Sequence, residues 1–325
     1  MSTLDLAYNE DQQSLSAAVR RFCTQVSGEA LARNTHQAFP RAAWEQLAQL
    51  GAFAAAAPGL DDAGGAGDVC AICEALGEAA FPGPLSATYT AIQALPPREA
   101  QPLIAGSKLV ALRPSRGNLL PYGPDADVLL AREGNTVRRA ELNSNMEAVA
   151  TLGGEHCGRA TLALGEPLEN SARALALGDI AAAAYLGGAL QQLLSVTTEH
   201  AATRRQFGKT LGEFQAVSHP LADCALNASA ALLLARNAAC TFDNTTDASG
   251  ALYSDAAAAL LSAARAAREG AFTCHQVFGA LGVTVEGPVF HFTRRIQQVI
   301  SMTQNDLHAT ALLAELGLGD DGHDE

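Results

Sequence analysis

From Ser171 almost to its end the chain repeats apolar residues at helical spacing in four long segments: Ser171 to His200, Phe214 to Phe242, Leu252 to Leu281 and Gly287 to Leu318. Nothing else in the 325 residues restricts the fold as much. Long helices with short joints predict an antiparallel bundle, because each helix must bury its apolar stripe against a neighbour. Composition points the same way: 48% of the residues are hydrophobic but only 5% are aromatic, so Ala and Leu must fill the core. Both are strong helix formers and poor strand formers. The length allows one very large domain or two to three ordinary ones.

The first third also reads as helices. One spans about Asp5 to Glu29, with Leu6, Leu15, Val19, Phe22 and Val26 on one face and the acidic Asn9-Glu10-Asp11 suited to its first turn. A second, Arg41 to Leu50, carries the single tryptophan, Trp44, and stops at Gly51; a third runs from Asp68 to Ala80 between the Gly64-Gly65-Ala66-Gly67 loop and Phe81-Pro82-Gly83-Pro84. The texture then changes. Leu109 to Leu112, Val128 to Ala131 and Thr161 to Leu164 are short apolar runs bounded by turn formers, which predict strands. The expected fold is mainly α: an N-terminal helical domain (1–104), a reduced β module (105–170), a C-terminal antiparallel bundle (171–318) and a polar, disordered tail (319–325).

A net charge of −13 without any basic run argues against nucleic acid and anionic membrane as partners, since both bind through Lys/Arg patches. No apolar run looks long enough to span a bilayer, and the N-terminus lacks a secretory apolar region, so a cytoplasmic location is expected. Seven cysteines scattered through predicted helices fit a reducing compartment. Cys70-Ala71-Ile72-Cys73 has redox spacing, but it lies inside a helix without a second pair and reads as buried thiols. His200, His219, His275 and His291 lack metal-ligand spacing and read as interface or capping residues. Tyr185 and Gly187-Gly188 mark close helix packing.

Two segments could carry chemistry. Arg204-Arg205-Gln206-Phe207-Gly208-Lys209 places two guanidinium groups, a ring and a glycine at a helix junction, which suits either an anion site or a helix C-cap. Gln276 to Gly287 has small residues at 279, 280 and 282 that let a flat or extended ligand approach the backbone.

Together and in this order, with Trp44 to Gly51, Pro58, Gly64-Gly65, Glu74 to Gly77, Phe214-Gln215 and Leu221-Ala222-Asp223, they resemble the acyl-CoA dehydrogenase family. The resemblance covers most of the chain. It implies α, β and α domains, FAD as cofactor and introduction of an α,β double bond into acyl-CoA thioesters. It assigns Arg204, Gln206, Phe207, Gln276, Gly279 and Ala280 to the pyrophosphate and adenine half of an FAD whose ring sits mainly in a neighbouring subunit. Ala280 stands where the family has a second glycine.

The chain departs from the family where proton abstraction occurs. With Arg294 set against the family's arginine, Thr303 falls on one base position; counting back from Phe207, Gly178 falls on the other. Abstraction of an α-proton needs a positioned carboxylate, and only Asp179, one residue off, offers one. The stretches with which the family's β domain wraps the flavin ring and thioester are also missing. This combination resembles the small chain of heteromeric acyl-CoA dehydrogenases acting on steroid side-chain CoA thioesters. It implies a larger homologous partner supplying the base, two copies of each chain per assembly, and an electron-transfer flavoprotein or similar acceptor. Two alternatives stand beside it: an autonomous dehydrogenase with Asp179 as base, and a flavin-free scaffold. Gln304 or Asn305 could reach a nucleotide by position alone.

Overall fold

The computed structural model describes residues 6–26, 39–60, 64–151, 154–245 and 250–303. The expected tail at 319–325, and Gln304 and Asn305, lie outside them.

The first helix, α1 (Glu10–Gln25), starts where Asn9 and Gln12 form a reciprocal capping box: Asn9 Oδ1 accepts from the Gln12 N–H at 2.8 Å, and Gln12 Oε1 from the Asn9 N–H at 3.1 Å. It is therefore shorter than the predicted Asp5 to Glu29. Helix α2 (Arg41–Gln49) buries Trp44 and Leu47. Helix α3 (Ala66–Glu78) starts two residues earlier than predicted because Asp243, distant in sequence, accepts from the N–H groups of Ala66 (2.7 Å) and Gly67 (3.1 Å). A tertiary carboxylate thus does the work of an N-cap. Two further helices were not predicted: α4 (Leu85–Ala94), entered from Pro84, and α5 (Pro97–Ile104), entered through Pro96-Pro97. Proline read as a stop; at a first helical turn it is a start.

Seven strands follow: β1 (Val110–Arg113), β2 (Leu119–Pro121), β3 (Val128–Glu133), β4 (Thr136–Leu142), β5 (Glu147–Val149), β6 (Cys157–Arg159) and β7 (Leu162–Pro167). They form a four-stranded sheet in the order β1-β3-β4-β7, with β1 and β3 parallel, and a three-stranded sheet β2-β6-β5. The three predicted runs are β1, one residue later than expected, β3, which starts where expected and runs two residues further, and β7, which starts one residue later and ends three later.

The bundle comprises α6 (Ser171–Thr203), α7 (Gln215–Asn244), α8 (Gly250–Phe278) and α9 (Pro288–Thr303). Helix α8 stops short of Leu281 because Gly279 adopts φ +60° and the chain tightens into a 3-10 turn over Gly279–Val283. Every residue of α6 from Ala174 to Leu190 is buried, so this helix is the core of the molecule. That corrects one expectation: Ser171–Thr203 is long and apolar enough to cross a membrane, but its apolar window is 94% buried in the protein. Glycines let α3 and α6 cross closely. A Cβ on Gly77 would lie 2.1 Å from the Tyr185 carbonyl oxygen, and one on Gly188 would lie 2.1 Å from that of Glu74. Cys70 and Cys73 are fully buried thiols on α3.

Candidate functional site

The Arg204 segment is a β-hairpin rather than a helix cap alone. Strands β8 (Arg205–Gln206) and β9 (Lys209–Thr210) pair through a two-residue loop, Phe207-Gly208, in which both residues have positive φ (+51° and +83°). That is the loop geometry matching the twist of a tight hairpin. The Arg205 guanidinium donates to the Gly208 carbonyl at 3.0 Å and braces the loop. Beyond it, Thr210 donates to Glu213 through its N–H at 2.8 Å and its hydroxyl at 3.0 Å, which holds the Glu213 carboxyl below its usual range.

Two features of the hairpin are left over for something outside the chain. The Arg204 guanidinium makes no hydrogen bond or ion pair among the described residues. The Phe207 ring is 92% exposed, touching only the edge of Phe214 among the described rings at 6.4 Å. The Gln276 segment meets the same corner. His200, one turn before Arg204, stacks on Phe278, two residues beyond Gln276, with ring centroids 4.2 Å apart and planes at 14°. Burial, with Arg204 nearby, pulls the His200 pKa below its usual value, so the ring stacks in its neutral form at pH 7. Gln276, Gly279 and Ala280 are exposed, and a Cβ at Gly279 or Gly208 would meet nothing within 4 Å. Phe272, one turn before Gln276, is also exposed.

The structure therefore places Arg204, Gln206, Phe207, Gln276, Gly279 and Ala280 on one corner of the surface. Arg204, Arg205 and Lys209 give it positive charge within a chain of net charge −13. Free donors, open backbone and local cations fit the phosphates and adenine of a dinucleotide.

The two positions that the family resemblance gives to the base lie elsewhere, near a pocket between the strand module and the helices. Asp179 and Thr303 both line it, and Asp179 is its only carboxylate among the described residues. Both side chains have partners within the chain. Thr303 donates its hydroxyl to the Ile300 carbonyl at 3.1 Å. Asp179, 4% exposed, is paired with Arg132 of β3 at 3.6 Å. A side chain at Gly178 has no room, since a Cβ there would lie 2.1 Å from Thr90 Oγ1 and 3.0 Å from the Ser86 carbonyl oxygen on α4.

A second buried pair borders the cavity. Arg295 of α9 donates to Glu155 of the strand module and, through the same nitrogen, to Gln298 Oε1 at 2.7 Å. The cavity is about 80 Å³, room for a handful of waters at roughly 10–15 Å³ each. These residues do not fit a flavin ring. Sequence reasoning missed Arg132, Glu155, Arg295 and Gln298. The one available signal was a pair of arginines, Arg294 and Arg295, the only Lys, Arg, Asp or Glu residues between Pro288 and Thr303.

His275 and His291 tie the end of α8 to α9: His275 Nε2 lies 2.9 Å from Thr293 Oγ1, and His291 Nε2 lies 2.8 Å from the Val285 carbonyl oxygen. No group of three or more metal-ligating side chains occurs among the described residues.

Comparison with known proteins gives two family models, "Acyl-CoA dehydrogenase, N-terminal domain" over residues 9–96 and "Acyl-CoA dehydrogenase, C-terminal domain" over residues 168–299. The chain is 28% identical to the acyl-CoA dehydrogenase IpdE2 of Mycobacterium tuberculosis, over 88% of this chain and 91% of that protein. It is 31% identical to the acyl-CoA dehydrogenase FadE34 of the same organism over 77% of this chain, but spans only 38% of that protein. Among solved structures it superposes on a chain of the ChsE4-ChsE5 complex from Mycobacterium tuberculosis with TM-score 0.80 at 23% identity, covering 97% and 99% of the two chains. The Tcur3481-Tcur3483 steroid ACAD G363A variant gives TM-score 0.80 at 20% identity, covering 95% and 98%. The FAD complex of PigA gives 0.78 at 19%, covering 97% and 100%. At these identities the structural likenesses establish the fold.

Proposed function

Since the chain belongs to the acyl-CoA dehydrogenase family, we propose that it serves as the subunit of a heteromeric, FAD-dependent acyl-CoA dehydrogenase that grips the ADP half of FAD across an interface while a larger homologous partner supplies the catalytic base. The observation that carries this reading is the hairpin at Arg204–Lys209. It presents outward an exposed ring and a guanidinium with no partner among the described residues, in a chain that holds Gly178 and Thr303 at the two positions the family resemblance gives to the base. Bound FAD would take up the hydride leaving the acyl β-carbon.

The residues of this chain bind and orient. Arg204 neutralises phosphate charge, Gln206 and Gln276 supply amide donors, Phe207 covers the nucleotide face, and Gly279 with Ala280 lets the adenine approach the backbone. None of them takes the α-proton. Likeness to a chain of the ChsE4-ChsE5 complex and to the Tcur3481-Tcur3483 steroid ACAD supports a larger partner and a steroid side-chain CoA thioester as substrate. An electron-transfer flavoprotein or similar acceptor and a cytoplasmic location complete the reading.

The test is co-purification with the larger partner followed by measurement of bound FAD. Arg204→Ala removes a charge-assisted contact worth about 1.5–3 kcal/mol, so FAD affinity should fall roughly ten- to hundredfold. Unchanged FAD content would favour a flavin-free scaffold. The placement of Asp179 in the cavity keeps a second reading, an autonomous enzyme with Asp179 as base; a flavin-bearing, active preparation of this chain alone would establish it.

A further inference from the structure

Two buried ion pairs cross from the strand module to the helical bundle at one cavity. Arg132 on β3 reaches Asp179 on α6, and Arg295 on α9 reaches Glu155, two residues before β6. Arg132, Asp179 and Arg295 all line the cavity, and all four charged side chains are at least nine-tenths buried. Among the described residues, Arg295 Nε, Gln298 Nε2 and Glu155 Oε2 have no hydrogen-bond partner. The second pair is therefore incompletely satisfied, although it lies deeper than any surface bridge.

We propose that these two pairs form an interdomain latch, which bolts the strand module onto the helices and closes this chain's own cavity to a flavin ring, making Asp179 a tether rather than a base. The identity of the excluded group rests on the function proposed above; the latch itself rests on the geometry alone. A buried ion pair adds little net stability compared with apolar packing, but removing one partner strands the other charge in a low-dielectric interior. The cheapest relief for a stranded Arg132 is water, and water reaches it if β3 swings away from α6. The pairs thus fix one relative position of two layers that apolar contact alone would let slide.

The experiment uses the full-length chain in the assembly in which it purifies, with backbone hydrogen exchange followed by mass spectrometry. Asp179→Asn should speed exchange in Val128–Glu133 and in residues 154–159 by tenfold or more, while α3 and α7 keep wild-type rates. The paired replacement Arg132→Met with Asp179→Leu, which leaves no stranded charge, should return exchange close to wild type. If Asp179→Asn does not yield folded protein, Glu155→Gln is read in the same way on the second pair. Exchange within twofold of wild type in the single variant overturns the latch. So does a loss of bound FAD in Asp179→Asn as large as in Arg204→Ala, because the ring would then lie in this cavity. If instead Arg204→Ala leaves FAD unchanged while Asp179→Asn loosens the strands, the latch survives and the FAD-gripping function fails.

Discussion

Phe207 occupies a backbone conformation that a bulky residue rarely takes. The two-residue hairpin demands positive φ at both loop positions, and asparagine followed by glycine meets that demand at least cost. A phenylalanine there stores about 1–3 kcal/mol, and with the ring 92% exposed its edge contact with Phe214 is the one ring contact it makes among the described residues. Under the proposed function the offsetting contact comes from bound nucleotide. Replacing Phe207 with Asn should leave the thermal midpoint of the chain unchanged or higher, yet lower FAD retention by the assembly about tenfold. A midpoint drop equivalent to more than about 1 kcal/mol would show that the ring packs within the chain after all. The motif around Phe207 was legible from the order Arg, Gln, Phe, Gly, but its strain was not, because the sign of φ follows from a hairpin length fixed only once Arg205 pairs with Thr210. Gly178 shows the same limit. Counting placed it on a base position, whereas the reason it is glycine, the wall formed by Thr90 and Ser86, comes from a helix some ninety residues earlier in the chain.

Elements were legible where a helix has one wet and one dry face, and less so where it has neither. The first three long bundle segments, and the fourth as far as Thr303, emerged because their length outweighs any ambiguity of period, while its predicted remainder to Leu318 lies outside the described residues. The extent of burial on α6 did not emerge, because a helix apolar on all sides gives no stripe to read. Strands of three residues, such as β2 and β5, are shorter than any alternation test, and the helices after Pro84 and Pro96 were hidden by residues that close one element and open the next. Close packing of α6 was visible in Gly187-Gly188, but that Gly77 faces Gly188's neighbourhood across the α3–α6 crossing was not, and the crossing makes a sharp demand. Gly188→Ala puts a methyl 2.1 Å from the Glu74 carbonyl oxygen, so the two backbones must separate over their whole contact. Overpacking of this kind costs about 2–3 kcal/mol, and Gly77→Ala should cost a similar amount from the opposite side. Denaturant midpoints at unchanged m-value measure both; a change under about 0.5 kcal/mol in either would mean that the crossing is looser than described.

At the scale of the whole molecule, charge and cavity divide the work between surface and interior. The chain carries a net charge of −13, yet the corner built from the hairpin and the end of α8 holds Arg204, Arg205 and Lys209. An anionic ligand is drawn to that corner and repelled by much of the remaining surface. Inside, the pocket at Asp179 is lined by Arg132, Asp179 and Arg295, charged side chains that are already held in ion pairs. Under the proposed function this chain holds half of one site, and the larger partner holds the other half. It follows that flavin should be counted by unlike pairs: the assembly should carry one FAD for each copy of this chain joined to one larger partner, and this chain purified alone should retain none. Flavin absorbance against protein mass from sedimentation gives the ratio directly. Because the grip is made through cations, the ratio should fall as salt rises, with exposed charges screened beyond about 8–10 Å. One flavin bound per chain in a preparation of this protein alone would mean that its cavity opens to the ring, and the division between grip and chemistry would fall.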